Sequence, residues 1–430
     1  MRTMGVARDD ASTPAGAFAA RRRGAALGAL AVWGPGLVVM LADTDAGSLV
    51  TAAQSGWQFG YGLVLAQLAL VPALFVVQEI VVRLGLFTGL GQGALIRRHL
   101  GRSWGVIAGL ALFASSLGAL LSEFVGVAGA GEAFGVSKWL SIPVATAFLV
   151  TLAFTRSYRR VERVALGLGL AELAFIPAML AARPRWADVA HGLTRVPLAD
   201  RSYLILLAAN VGAVIMPWMI FYQQGAIVDK GLGPSSLRSE RRDTLVGALS
   251  TQAIMIAVIV AFAASSHGRE HAYALRTVSQ MVSALGATIG AGLARVLVGA
   301  AVLGASLLAA LVVSLAASWG LSEVFGWSHS LNDAPSRSSA GFYATYILSH
   351  VLGAALVLAR VNIVSLAVDV EVLNALLLPL VLVTLLVLER RALSPTEQLR
   401  GLSRRVVTLI VGALALYGLL SGVGVLHAAL

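Results

Sequence analysis

Apolar stretches recur along the whole chain, and each is close to the ~20 residues that one helix needs to cross a bilayer. Short polar segments separate them, so the pattern predicts an all-α polytopic membrane protein with about eleven spans. The predicted spans are 26–53, 58–82, 104–130, 139–155, 164–182, 203–228, 244–266, 288–320, 341–359, 366–388 and 406–428. Hydrophobic residues make up 58% of the chain and charged residues 12%, which is typical of a membrane protein.

Positive charge is distributed unevenly between the two sides of the predicted membrane. With the N-terminus placed inside, 23 of the 32 Lys and Arg residues fall in cytoplasmic segments, and nine fall outside or at span edges. Because cytoplasmic loops carry the excess of Lys and Arg, we expect a cell-membrane protein with a cytoplasmic N-terminus and an external C-terminus. This distribution accounts for the net charge of +11 without a nucleic-acid partner. The chain has no cysteine, which excludes disulfides and thiolate metal sites.

Two carboxylates in the first span are the strongest chemical signal in the sequence. Asp43 and Asp45 stand two residues apart within an otherwise apolar stretch that runs from Trp33 to Ala53. A carboxylate near the bilayer centre costs about 2.5–3.5 kcal/mol on insertion scales, so two of them require a partner, and a cation is the simplest one. Gly47 offers a break in the helix, which would free backbone carbonyls to bind the same ion.

A second interruption lies in the sixth span, where Pro217 lacks a backbone N–H and deprives the carbonyls just upstream of their helical donors. Alone, Pro217 would indicate only a kink. Two interrupted spans in matching positions instead indicate a transporter built from inverted repeats, with its site between the breaks. The predicted organisation is a cytoplasmic tail at 1–24, a first repeat of five spans at 25–182, an external loop at 183–202, a second repeat at 203–388, and a loop plus the eleventh span at 389–430.

The residues around both breaks resemble the Nramp family of divalent-metal transporters. Gly34-Pro35-Gly36 followed by Asp45-Ala46-Gly47-Ser48 parallels the family's GPG and DPGN motifs, and the stretch from Gly212 to Pro217 parallels its GAxxMPH motif. The resemblance is dense over residues 30–100 and 205–230. It implies a LeuT-like fold of five plus five inverted repeats, with helices 1 and 6 broken and a metal bound between them.

The resemblance also implies a set of metal ligands. The implied ligands are Ala42 and Ala213 through their carbonyls, and Asp45, Ser48 and Met216 through their side chains. Hard oxygen ligands suit Mg²⁺ or Mn²⁺, while a thioether favours softer transition metals. Further candidates for the metal or its pathway are Asp43, Gly212, Trp218, Gln223 and Asn374, and Glu123 is a candidate for a proton pathway.

Departures from the family pattern bear on proton coupling and on metal identity. Trp218 stands at the family's histidine position, and Leu120 stands where an aspartate precedes Glu123. Two titratable groups of a proton route are thus replaced by groups that cannot titrate, as in the branch of the family that includes magnesium transporters. Met216 is instead expected of manganese- and iron-type members, so Mn²⁺, Mg²⁺ and Fe²⁺ remain open.

We therefore expect a monomeric secondary transporter that imports a divalent metal with weak or no proton coupling. The metal would be its substrate, in a lipid bilayer, and no resident cofactor is expected. The alternatives are a proton-coupled Mn²⁺ or Fe²⁺ symporter and an amino-acid or amine transporter of the same fold. An enzyme or a membrane scaffold has little support, and the absence of a G-x-x-x-x-G-K-[ST] loop disfavours ATP-driven transport.

Overall fold

The computed structural model describes residues 34–266, 274–359, 364–401, 404–413 and 416, without the side chains of residues 364–376 and 378. Regular structure in these ranges is helical. Eight helices belong to the first half of the chain: α1 (Pro35–Ala42), α2 (Ala46–Phe59), α3 (Val64–Thr88), α4 (Gln92–Leu100), α5 (Arg102–Ala133), α6 (Lys138–Ala153), α7 (Tyr158–Gly169) and α8 (Phe175–Ala181). A 3₁₀ turn, Leu170–Ala174, joins α7 to α8.

The second half of the chain repeats this pattern of long apolar helices. Its helices are α9 (Trp186–Gly192), α10 (Arg201–Val214), α11 (Pro217–Asp229), α12 (Leu237–Ser266), α13 (Val278–Ile289), α14 (Ala291–Phe325), α15 (Ala340–Leu358) and α16 (Val364–Ala392). Short helix α9 lies inside the predicted external loop at 183–202. Helix α13 lies mostly in the gap between the predicted spans 244–266 and 288–320 and ends at Ile289, just inside the second of them.

Within the described residues, seven helical segments are long and apolar enough to cross a membrane, and the bent pair α1–α2 makes an eighth. The predicted fourth span corresponds to the shorter apolar helix α6. The tenth corresponds to α16, and the eleventh is described only over 404–413 and residue 416. The chain is therefore a multi-pass membrane protein. The predicted tail at 1–24 lies outside the described residues.

The first two spans lie several residues beyond their predicted bounds. Helix α2 continues to Phe59, past the predicted end at 53, and α3 runs from Val64 to Thr88. The turn between them contains Gly60 at φ +58°, a left-handed conformation that glycine adopts without strain. Polar residues such as Ser55 favour an earlier end of the span. In the structure the Ser55 side chain is buried against the protein, so the helix continues past it.

The central helices pack closely enough that their backbones nearly touch. A Cβ atom at Gly56 in α2 would lie 2.2 Å from the carbonyl oxygen of Ile259 in α12, a distance that no side chain tolerates. Helix α12 also packs along α1 and α3, while α14 packs along α5. Small residues allow such close approach in membrane helices, and here they bring the two interrupted spans into one core.

Candidate metal site

The first break lies between α1 and α2, whose axes differ by 54°. Asp45 has an extended backbone and caps α2: its Oδ1 accepts a hydrogen bond from the backbone N–H of Ser48 at 2.7 Å. Gly47 was predicted to break the helix, and this is wrong, because α2 already begins at Ala46. A capping aspartate that satisfies the first N–H groups starts the helix upstream of the glycine.

The same break removes the helical partner of the Ala42 carbonyl. In a continuous helix the N–H of Ala46 would donate to the carbonyl of Ala42. It donates instead to Oε2 of Glu123 in α5, at 3.2 Å. The Ala42 carbonyl is therefore available to another partner, as the sequence predicts, but a side chain from a third helix is what releases it.

The second break lies between α10 and α11, where Ile215 and Met216 are not helical. The residue four positions after Ala213 is Pro217, which has no N–H, so the Ala213 carbonyl also lacks a helical donor. Ser48 donates to this carbonyl from its Oγ atom, at 3.3 Å. One hydrogen bond thus joins the start of α2 to the end of α10, and the structure brings the two predicted breaks together.

Met216 lies at the second break with its side chain fully buried. It caps α11 in an extended conformation, with φ −98° and ψ 145°. Its sulfur accepts a hydrogen bond from the indole Nε1 of Trp218 at 3.2 Å. Trp218 therefore holds the thioether, which the sequence did not predict.

The remaining predicted residues divide into those near the breaks and those elsewhere. Asp43 is buried at the end of α1, and Gly212 is buried in α10 beside Ala213. Gln223 lies farther along α11 and donates to the hydroxyl of Thr244 in α12 at 2.9 Å, so it contacts a helix flanking the site. The side chain of Asn374 lies outside the described residues.

The donors that meet at the breaks are mixed in type. Across the described part of the chain, no three His, Cys, Asp or Glu side chains are close enough together to hold one metal ion. A cation here would instead use one Asp45 carboxylate with the Ala42 and Ala213 carbonyls, a hydroxyl and a thioether. Carboxylate and carbonyl oxygens are ligands for hard divalent cations, and the sulfur adds preference for softer ones.

Glu172 is an acidic residue near the break to which the sequence pattern assigns no role. It lies in the 3₁₀ turn between α7 and α8, and its Oε2 accepts a short hydrogen bond from the hydroxyl of Thr44. Thr44 stands between Asp43 and Asp45. The two contacting residues are 128 positions apart, so only the fold shows that they meet.

Polar contacts also hold the helices on both sides of the breaks. On the α1 side, Asp243 of α12 accepts from the backbone N–H groups of Gly34 at 3.0 Å and Leu37 at 3.1 Å. On the α2 side, Asn210 of α10 donates to Ser55 at 2.8 Å and accepts from Gln67 of α3 at 2.7 Å. The site residues between these contacts are buried, so this is a conformation in which the site is closed to solvent.

Comparison with known proteins gives a family match over most of the chain. Residues 36–422 match the family described as natural resistance-associated macrophage protein-like. The divalent metal cation transporter MntH 1 of Pseudomonas aeruginosa is 30% identical over 258 residues, covering 55% of this chain and 57% of that protein. The divalent metal cation transporter MntH of Brucella suis is 25% identical over 259 residues, 56% of each chain. The matched stretch thus spans little more than half the length of these curated relatives.

Solved structures share the fold over almost the whole chain. A manganese transporter from Eremococcus coleocola superposes with a TM-score of 0.72, at 18% identity, over 91% of this chain and 86% of that one. Mhp1, a nucleobase-cation-symport-1 family transporter in a closed conformation, gives a TM-score of 0.58 at 16% identity, over 91% and 90% of the two chains. These likenesses confirm the predicted all-α, LeuT-like membrane fold.

Proposed function

The chain belongs to the natural resistance-associated macrophage protein-like (Nramp) family, and from that premise we propose that it is a secondary transporter importing divalent metal ions. The relatives reported above are named as divalent metal or manganese transporters. The proposal extends that activity to this chain, with the ion bound between α1, α2, α10 and α11.

The observation that carries the proposal is that each break frees a backbone carbonyl from its helical donor, that a buried carboxylate lies at the first break, and that a hydrogen bond joins the two breaks. Glu123 takes the N–H that would satisfy Ala42, and Pro217 has no N–H to satisfy Ala213. Asp45 supplies a carboxylate at the first break, and Ser48 links the two breaks. Oxygen ligands with a negative charge inside a membrane are suited to a cation, whereas the carboxylate of an amino-acid substrate would be repelled by Asp45.

We infer weak or absent proton coupling, as in the branch of the family that includes magnesium transporters, from residues at the second break and in α5. Trp218 cannot titrate, and it is occupied as the donor to Met216. Leu120 cannot carry a proton either. Glu123 caps α2 through Ala46, so it also has a structural role at the first break. Proton-coupled Mn²⁺ or Fe²⁺ symport is the alternative, with Glu123 as the carrier.

The distribution of positive charge supports an orientation in the cell membrane with the N-terminus cytoplasmic and the C-terminus outside. We propose in addition that the transporter works as a monomer, because one chain supplies all of the ligands named above. No resident cofactor enters the proposal, since the metal is the transported substrate.

Metal uptake into proteoliposomes tests the proposed function. The vesicles hold a dye that responds to divalent ions, and Mn²⁺ or Mg²⁺ is added outside. We expect saturable uptake by the wild-type protein, and a loss of apparent affinity of about ten- to hundred-fold in Asp45→Asn, because the ion then meets a dipole in place of a charge in a low-dielectric site. Asn still caps helices well, so α2 should stay folded.

A matched control uses the aspartate that caps α10. Asp200 accepts from the backbone N–H groups of Ser202 and Tyr203, as Asp45 does from Ser48, but it is exposed and far from the breaks along α10. Asp200→Asn should transport like wild type. Equal affinities in Asp45→Asn and wild type, or saturable uptake of an amino acid without uptake of Mn²⁺, Mg²⁺ or Fe²⁺, would contradict the proposal. A second dye that reports luminal pH measures proton coupling in the same vesicles.

A further inference from the structure

Thr44 connects the first break to a carboxylate on another span. Its hydroxyl lies within hydrogen-bond distance of Oε2 of Glu172 and, at 2.7 Å, of the carbonyl oxygen of Leu41. A hydroxyl has one proton, so it serves these two acceptors in competition. The contact fixes the Glu172 side chain against the segment that carries Asp43 and Asp45.

Glu172 is completely buried, and only one of its oxygens has a partner. Oε2 has Thr44, while Oε1 has no hydrogen-bond partner among the residues that the structure describes. An unpaired polar atom in the interior costs free energy, and a buried charge costs more. Other buried acids do have basic or backbone partners: Glu162 pairs with Lys230, and Asp243 accepts from the N–H groups of α1.

Asp45 and Glu172 thus place two carboxyl groups near the first break. The contacts described above pair neither of them with a basic residue. Thr44, which contacts Glu172, lies directly between Asp43 and Asp45, so three carboxyl groups lie near this segment. The low polarity of the protein interior strengthens electrostatic interactions there. The carboxylates nevertheless do not converge closely enough for three of them to bind one ion directly. A water bound to a divalent ion can donate to Oε1 without direct contact between Glu172 and the ion.

We infer, on the basis of the proposed function, that Glu172 is a further binding residue of the metal site and acts through the ion's water shell. Its Oε1 accepts a hydrogen bond from a water bound to the divalent ion, while Thr44 holds Oε2. This arrangement favours ions that retain water. Mg²⁺ dehydrates reluctantly and usually keeps several waters in protein sites. Cd²⁺ gains from direct contact with the Met216 sulfur instead.

The test measures binding of Mg²⁺ and Cd²⁺ to the purified full-length protein by isothermal titration calorimetry. Glu172→Gln keeps the shape of the side chain and an oxygen that accepts from Thr44, but removes the charge. We expect Mg²⁺ affinity to fall about ten-fold and Cd²⁺ affinity to fall by no more than about two-fold, because only the hydrated ion depends on the outer carboxylate. Thr44→Val is the control. It removes the hydroxyl and leaves the charge, so Mg²⁺ affinity should change less than in Glu172→Gln.

The ratio of the two affinities separates this role from a structural one. Damage to the fold would weaken both ions alike, so equal losses, or no loss, in Glu172→Gln overturn the inference. If that variant does not fold, Glu172→Asp replaces it: the carboxylate is withdrawn by one methylene, and a Mg²⁺-to-Cd²⁺ affinity ratio equal to that of wild type overturns the inference. Failure of the wild-type protein to bind either ion would instead contradict the proposed function itself.

Discussion

The contact between Trp218 and Met216 changes how the second break is understood at the scale of single residues. The sequence indicates only that Trp218 cannot titrate as the family's histidine does. In the structure its indole N–H donates to the sulfur of Met216 at 3.2 Å, and both side chains are fully buried. The sulfur lone pair that accepts this hydrogen bond is less available to bind a metal ion. If Met216 is a ligand as proposed, this contact should lower the preference of the site for soft metals.

Trp218→Phe tests this effect because it keeps an aromatic ring and removes the donor. We expect Cd²⁺ affinity to rise about three- to ten-fold, since the thioether is then free to bind the metal, while Mg²⁺ affinity stays within about two-fold of wild type. Competition between the two ions for the purified protein measures the ratio.

The double variant Trp218→Phe with Met216→Ala supplies the control. If the gain depends on the sulfur, removing the sulfur abolishes it, and the double variant resembles Met216→Ala alone. A gain that persists without Met216 would show that Trp218 acts by occupying space and not through its hydrogen bond.

The sequence predicts individual site residues well where the signal is local. Asp45, Ser48 and Met216 lie within short motifs, and the chemistry of each follows from its residue type. Their positions at the breaks agree with the structure, while metal binding by them stays a prediction. Glu172 could not be found in this way, because its contact with Thr44 depends on how the fifth span packs against the first.

At the scale of elements, the two breaks have different physical causes. Pro217 interrupts its span through covalent structure, so the absence of an N–H can be read directly from the sequence. The first span is interrupted because the side chains of Asp45 and Glu123 capture N–H groups that would otherwise close the helix. That cause involves a residue 77 positions away in the chain, which explains why the sequence pattern assigns this break to Gly47.

Pro217→Ala should therefore repair the second break in part. Alanine restores an N–H that can donate to the Ala213 carbonyl, and Pro is about 3 kcal/mol less favourable than Ala in a helix interior. We expect metal affinity to fall about ten-fold, because the carbonyl is no longer available, while the thermal unfolding midpoint in detergent stays equal or rises.

Pro72 provides a matched control for that substitution. It lies inside α3, exposed on the outer face of the protein and away from both breaks. Pro72→Ala should leave metal affinity unchanged and leave stability equal or higher. Wild-type affinity in Pro217→Ala would show that the Ala213 carbonyl is not a ligand.

Span boundaries were less predictable than the existence of the spans. Apolar composition identifies a crossing helix, but the end of a helix in a membrane protein depends on which polar residues find partners inside the protein. Ser55 illustrates this, since its contact with Asn210 allows α2 to continue past the point where its polarity suggests a loop.

At the scale of the whole molecule, polar contacts close the site from both sides at once. Asp243 holds the start of α1, and Asn210 joins α2, α3 and α10. In a transporter of the proposed kind, each set of contacts would have to open in turn while the other stays formed. With the orientation proposed above, the contacts that hold α1 would be a control point for release of the ion toward the cytoplasmic side.

Asp243→Asn should weaken that control point. The carboxylate accepts from Gly34 with one oxygen and from Leu37 with the other, whereas an amide has only one accepting oxygen. The chain has no cysteine, so a single Val38→Cys substitution gives a labelling site without background. Val38 is fully buried, and we expect maleimide to label it about three- to ten-fold faster when Asp243→Asn is present, because opening precedes labelling.

Asp229 is the control for this measurement. It is another acid whose two oxygens accept from the protein, here from Ser330 and the N–H of Leu331, but it does not contact α1. Asp229→Asn should leave labelling at Val38→Cys unchanged. Equal rates in all three proteins would mean that Asp243 does not hold α1 closed.

The unequal causes of the two breaks also assign different mechanical properties to the two halves of the molecule. The N–H that Pro217 lacks is absent in every conformation, so the Ala213 carbonyl never gains a helical donor from that position. An interruption maintained by Asp45 and Glu123 lasts only while those carboxylates remain bound to N–H groups. A cation bound at the proposed site would compete for the oxygens of Asp45. On this proposal the α1–α2 break, and not the α10–α11 break, is the one whose stiffness depends on whether the ion is bound.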